Sequence, residues 1–409
     1  MSGGKSEIQD FQATGSTPKL SCLYNCHLKL TEKSRIVEFA GYLMPLWYSS
    51  ISQEHAAVRE KAGVFDCTHM GILEVSGPDA EAFLDYVTVN DVKGLVVGKA
   101  HYSYILDTAG SVLDDIIIYK RADNRFMVVV NAANEAKIKA WIESIVKEKG
   151  QALKPVITDL RSEQASGRRR VDIALQGPGA IDCLGGLVED DISNLEPFTF
   201  IETKIPGFEI IVSRTGYTGA LIGYELYVHP DNAVSLWEMI LEKSVEPCGL
   251  GARDSLRIQA GLPLYGHELA GKFGISPFEA GYGRMVKLEK GFFIGKEAME
   301  KISNSYDMKV IRLELSGEKG VRPVRENDAV ISTDGLCAGH VLSCAKAGDK
   351  QIALAYCKRD VFNKDDMAGI YYLARSQRQK EQGRKTEVLL TDRLQCDIEG
   401  VVLSRFERF

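Results

Sequence analysis

No window of this 409-residue chain holds the roughly 20 uncharged apolar residues that a helix needs to cross a bilayer, so no membrane partner is expected. An excess of positive charge is missing too. Fifty Lys and Arg stand against 56 Asp and Glu, a formal net charge of -6, which disfavours nucleic acid as a partner. The opening MSGGKSEIQDFQATGSTPKL has no apolar core and no Arg, so neither a secretory signal nor a mitochondrial presequence is visible. A cytoplasmic protein is expected, a mature organellar form being the alternative. Nine cysteines, an odd number with no Cys-x-x-Cys pair, read as reduced thiols. Cys22, Cys26 and His27 lie close together but lack a second ligand cluster, and the seven histidines form no HExxH, so no metal is expected. The run from Gly249 to Asp254 lacks the third glycine of a dinucleotide fingerprint, and GFFIGK at 291–296 has the wrong spacing for a phosphate loop.

What is present is a globular composition, 45% apolar, long enough for two or three domains. Residues 1–19 read as a polar, mobile tail. A helix is expected over 54–61, stopped at Gly63, then a strand over 72–75 and a helix opened by Pro78. Strands over 102–106 and 112–119 are joined by Asp107-Thr108-Ala109-Gly110, which has hairpin chemistry. Another strand, 126–130, and a helix, 135–147, follow. SEQASGRRR, 162–170, reads as a polar loop before a strand at 171–175, two strands around Ile210 and Leu226, a helix at 234–241 and another from Gly251. This order is not a regular parallel βαβ repeat, so an α+β arrangement with antiparallel pairing is predicted. Beyond about Asp307 the short runs VIRLEL, AVIST, HVLSC, IALAYC, TEVLL and IEGVVLS predict a separate β-barrel or sandwich. Its RSQRQKEQGRK stretch, 375–385, reads as a solvated loop or a basic patch for an acidic partner.

Chemistry is signalled most clearly in VLDDIIIY. Asp114 and Asp115 sit in a β-branched run whose two faces both look apolar, so at least one carboxylate is placed near a buried surface. Adjacent strand residues face opposite ways, which predicts one working carboxylate rather than a dyad. Arg253 and Arg257 share a helical face at i, i+4, suited to an anionic ligand or an acidic neighbour. His69-Met70-Gly71 and Gly216-Tyr217-Thr218-Gly219 have small, turn-forming residues that let backbone approach a ligand.

Taken together, EHAAVREKAGVFDCTHMG, YSYILDTAGSVLDDIIIY, VVVNAAN, IALQGP, SRTGYTG, GLGARDSLRIQAGLPLYGHEL, SPFEAGYG and FFIGKEAM occur in the order found in the aminomethyltransferase (T-protein) family of the glycine cleavage system, which this chain resembles from about Leu20 onward. The resemblance implies a three-domain cloverleaf around a central folate channel, with residues 20–305 forming two interleaved α+β domains and 306–409 a C-terminal barrel-like domain. It implies tetrahydrofolate as co-substrate and a lipoyl-carrying H-protein as transient partner. The implied reaction converts aminomethyl-lipoyl carrier and tetrahydrofolate to methylenetetrahydrofolate, ammonia and dihydrolipoyl carrier. By motif, Asp115 is the implied catalytic carboxylate, and Met70, Tyr102, Asn131, Tyr217, Glu225 and Arg253 are the implied folate-binding residues. The chain departs from the family pattern at Gly219–Glu225, one residue longer and without the first acids, and in its terminal SRFERF, which lacks the customary proline. A tetrahydrofolate-dependent demethylase of a small S-, O- or N-methyl metabolite is the alternative function.

Overall fold

The computed structural model describes residues 17–150 and 152–409. Residues 1–16, where most of the expected tail falls, lie outside the described residues; Lys19–Leu20 pairs in parallel with Tyr42–Pro45.

Beside that small three-stranded sheet, completed by Ile36–Phe39, two larger sheets carry the first three quarters of the chain. The first runs in the order Ala100–Leu106, Val112–Ala122, Arg125–Val130, Gly71–Ser76, Val156–Asp159, antiparallel throughout. Its expected hairpin closes because the Asp107 carboxylate accepts the Ala109 and Ser111 amides and Gly110 takes a φ of 86°. Helices Ala80–Val87 and Glu135–Lys149 cover one face with Phe83, Leu84, Ile138 and Ile142. The second sheet runs Phe200–Ile205, Phe208–Ser213, Gly223–Val228, Val171–Gln176, Gly63–Asp66, Glu246–Cys248, and helix Pro230–Leu241 packs Leu236 and Trp237 against it. The uncovered faces of the two sheets meet across Tyr119, Met127, Ile211 and Tyr227.

From Met308 the chain closes a six-stranded barrel in the order Met308–Ser316, Lys350–Lys358, Cys337–Ala347, Ala329–Ile331, Met367–Tyr371, Ile398–Leu403. Helix Leu250–Ala260 is the junction. Ala252 and Leu256 pack with Phe65 and Ala174 of the second sheet, whereas Ile258 packs with Leu342 and Leu354 of the barrel.

Several local expectations need correction. The helix predicted at 54–61 is Ile51–Glu60, one turn earlier, because the Ser50 hydroxyl accepts the Gln53 amide and caps it. Gly63 does not merely stop that helix; it begins a strand. SEQASGRRR contains a 3-10 turn, Glu163–Arg168, whose Arg168 pairs with buried Glu74. TEVLL forms no strand: Val388 plugs a side cluster with Ala329 and Ile331, and the barrel strand is Met367–Tyr371 instead. Residues 375–385 hold a short helix, Gln377–Glu381, with Arg375, Arg384 and Lys385 paired to Asp328, Asp397 and Asp392.

Candidate functional site

A cavity of about 290 Å³ lies where the facing sheets meet helix Leu250–Ala260 and the segments around 262–285 and 406–408. That places it at the low end of small-molecule sites. Met70, Tyr102, Asp115, Asn131, Tyr217, Glu225 and Arg253 all border it. Local structure explains how residues so distant in sequence converge.

Asp115 comes from the long strand of the first sheet, opposite Tyr104, one pair before the register with Ala100–Leu106 slips by one residue. Its Oδ2 accepts the Tyr102 hydroxyl at 2.7 Å and its Oδ1 accepts Asn131 Nδ2 at 2.8 Å. Asn131 ends strand Arg125–Val130 and enters the 3-10 turn Ala132–Asn134, so its amide is fixed at both ends. The same Nδ2 donates to Asp114 Oδ1 at 2.8 Å, while the Asn131 backbone amide donates to Asp114 Oδ2 at 3.0 Å and the Asn134 side chain adds a third donor. One amide thus joins the two acids, while only Asp115 borders the cavity, as the opposite facing of adjacent strand residues predicts. Burial, then the neighbouring Asp115 charge, pushes the Asp114 carboxyl up to about 8, and burial likewise raises Asp115. Two carboxylates this close favour holding one proton between them.

The opposite wall belongs to the second sheet. Glu225 pairs across the strand register with Ala174 and Ser213, and its Oε2 accepts hydrogen bonds from Thr215, from Tyr119 at 3.3 Å and from Tyr227 at 3.4 Å. The altered 219–225 stretch leaves this register intact, because its irregular part is a turn at Ala220–Ile222 that precedes the strand, with only its tip, Leu221, exposed at 61%. Gly219 has a φ of 77°, and a β-carbon there would run into Ala260. That turn is also tied to the chain end: Phe409 N donates to Gly219 O at 2.8 Å and Leu221 N to Phe409 O at 2.6 Å. Beside it the Tyr217 hydroxyl donates to Pro263 O at 2.5 Å, and the Arg253 guanidinium lies 4.9 Å from the Tyr217 ring centre.

Arg253 Nη1 is buried with no hydrogen-bond partner. An orphaned cationic donor on the same side as hydroxyl-held Glu225, in a cavity also lined by Met70, Val129 and Met285, fits a flat heterocycle bearing both polar edges and an apolar body. Arg257 takes no part: it is buried in ion pairs with Glu268 at 2.6 Å and Asp254 at 2.8 Å. His27 is also engaged elsewhere, 2.7 Å from Asp66 and 2.8 Å from the Tyr48 hydroxyl. No group of His, Cys, Asp or Glu among the described residues could hold a metal.

Three side chains on the cavity wall were given no role by sequence reasoning, which read His69 only as part of a turn. His69 is buried, with its Nδ1 unpartnered, and burial holds its imidazole down to about 4. Phe406, from the chain end, stacks edge-on to Tyr282 at 4.6 Å. Asp172 sits in strand Val171–Gln176, only 2% exposed. Its signal was legible, an acid just inside the apolar run VDIALQ, as with Asp115 in its own run.

The comparisons with known proteins agree with this architecture. The family model for the GCVT N-terminal domain matches residues 23–290. An aminomethyltransferase of Staphylococcus haemolyticus (strain JCSC1435) is 37% identical over 334 residues, 80% of this chain and 88% of the relative. The crystal structure of glycine cleavage system aminomethyltransferase T from Bartonella henselae superposes with a TM-score of 0.78 at 28% identity, over 96% of this chain and 99% of that one. With the family matched over most of its length, a T-protein fold and a closed barrel at its end, this chain belongs to the GCVT family of aminomethyltransferases and is a transferase.

Proposed function

We propose that this enzyme is the tetrahydrofolate-dependent aminomethyltransferase of a glycine cleavage system. It takes the aminomethyl group from a lipoyl-carrying H-protein and yields methylenetetrahydrofolate, ammonia and the dihydrolipoyl carrier. The observation that carries the reading is the cavity itself, with Asp115 fixed by Tyr102 and Asn131 on one wall and Glu225 and Arg253 on the other. Tetrahydrofolate, when bound, supplies the ring nitrogen that receives the one-carbon unit.

The residues of this chain do the rest by position and charge. Glu225 accepts the donor edge of the ring, and the three hydroxyls on its Oε2 keep that carboxylate from rotating away. Tyr217 and Met70 wall the ring, with Arg253 behind Tyr217. Asp115 lies across the cavity, where a carboxylate orients the ring and stabilises positive charge on the carbon that loses ammonia. Its anchors matter as much as its charge, since a dipole or charge already in place costs no reorganisation during reaction.

The wider assignment follows the same reading. We take 20–305 as the folate-binding core and 306–409 as the barrel domain, and nine free cysteines suit a reducing, cytoplasmic setting. The test is ammonia release from aminomethyl-loaded H-protein with and without tetrahydrofolate. Folate-dependent release is expected, and Asp115→Asn is expected to lower turnover at least about 100-fold while tetrahydrofolate still raises its melting temperature. The altered turn, which lines the cavity with Gly219, Ala220 and Leu221, favours one second reading, a demethylase with a different donor. Stabilisation by tetrahydrofolate without ammonia release would select it.

A further inference from the structure

Asp172 is a buried acid that the reaction as described does not use. The strand register places Asp172 opposite Tyr227 and Ala174 opposite Glu225, so Asp172 lies on the same sheet face as Glu225, one diagonal step away. It borders the cavity, and its Oδ1 is buried without a hydrogen-bond partner. The charged and titratable groups facing it are Glu225, Arg253, Asp66, Cys67 and Tyr227. None of them donates to Oδ1. A protein interior satisfies nearly all its buried polar atoms, so an orphaned oxygen on a cavity wall marks a place where a ligand completes the bonding.

The chemistry of that ligand follows from its neighbours. Glu225 already accepts from three protein hydroxyls, and its free side meets donors of the ligand's edge. Burial, then the Glu225 charge, raises the Asp172 carboxyl well above the usual carboxylate range, so it is neutral in this pocket. A neutral carboxyl avoids a second buried charge and still offers a carbonyl oxygen to an N–H. Tetrahydrofolate carries such a group next to its aminopyrimidinone edge, the ring N8–H. Oxidised folate has a bare acceptor nitrogen at the same place.

We propose that Asp172 is a specificity-determining residue of this pocket, accepting a ring N–H present only in the reduced ligand and so making the enzyme select tetrahydrofolate over folate. This rests on the folate reading above. The experiment is anaerobic titration of wild type, Asp172→Asn and Asp172→Leu with tetrahydrofolate and, separately, with folate, each with a thermal melt. Wild type is expected to prefer tetrahydrofolate. Asp172→Asn keeps an acceptor and keeps the preference. Asp172→Leu is expected to weaken tetrahydrofolate roughly ten-fold or more, with folate changing less than about two-fold, so the preference collapses. It is also expected to melt at or above the wild-type temperature, because an orphaned buried acid has gone. Affinity and stability then move in opposite directions, which a folding defect does not produce. Should leucine not fit, Asp172→Val, suited to an inner strand, gives the same readout. Unchanged binding of both ligands, or equal weakening of both, overturns the inference and leaves the folate reading standing. Wild type that binds no tetrahydrofolate overturns both.

Discussion

Asn131 shows how much one side chain can settle. Its amide holds Asp114 and Asp115 together, its backbone holds Asp114, and its place at the end of a strand makes all three bonds rigid. Pairing of this kind has a pH signature. Asp114 is held up to about 8 against an ordinary 3.8, so between those values the folded chain keeps a proton that the unfolded chain has released. More protons bound to the folded state means that stability falls as pH rises through this window. Above about pH 6.5, where the histidines have released their protons in both states, melting temperatures between pH 6.5 and 8 should fall more in wild type than in Asp114→Asn. Histidine has the opposite sign. Burial pulls His55, His69 and His101 down to about 4 from 6.5, so below about pH 6.5 the unfolded chain takes up protons that the folded chain refuses. Stability contributed by these three is complete above 6.5 and lost as pH falls toward 4, which His69→Gln should partly relieve in acid melts.

At the scale of elements, helix Leu250–Ala260 has two duties on one face. Arg253 serves the cavity and Arg257, one turn later, is locked to Glu268, itself fully buried. Removing only the cation strands a buried carboxylate, so Arg257→Ala is expected to cost about 3–5 kcal/mol in denaturant titrations, with Glu268→Ala on top of it restoring much of the loss. The Gln377–Glu381 helix carries a lighter load. Three of the five basic residues between Arg375 and Lys385 are already paired to acids of this chain, so replacing Arg378 and Lys380 should leave the salt dependence of turnover unchanged. Which elements could be read from sequence follows the same local logic. The hairpin around Asp107 and the Glu135–Lys149 helix carry their own turn chemistry and periodicity, and both were legible. Gly63–Asp66 and Met367–Tyr371 are four and five residues long, and their pairing partners lie far along the chain, so nothing local announced them. Of the site, VLDDIIIY declared a carboxylate by pattern and helical spacing and turn chemistry pointed to Arg253, Met70 and Tyr217, whereas the choice of Asp115, and Asn131 and Glu225 altogether, came only with the family resemblance. The strand of Asp172 was read, at 171–175, but the acid at its second position was not singled out as a site residue.

For the whole molecule, the cavity exists because two sheets and a barrel close on one helix, and no single layer contains it. The order in which the chain supplies those layers is unusual. Gly63–Asp66 belongs to the second sheet, yet every strand of the first sheet follows it before its antiparallel partner Val171–Gln176 appears. During synthesis at roughly 5–20 residues per second, this strand waits through about 100 residues, on the order of 5–20 s, with an unpaired edge. A nascent chain of this protein is therefore exposed to misassembly over that interval, and separate expression of the two halves divided near residue 150 should give insoluble fragments that become soluble only when made together.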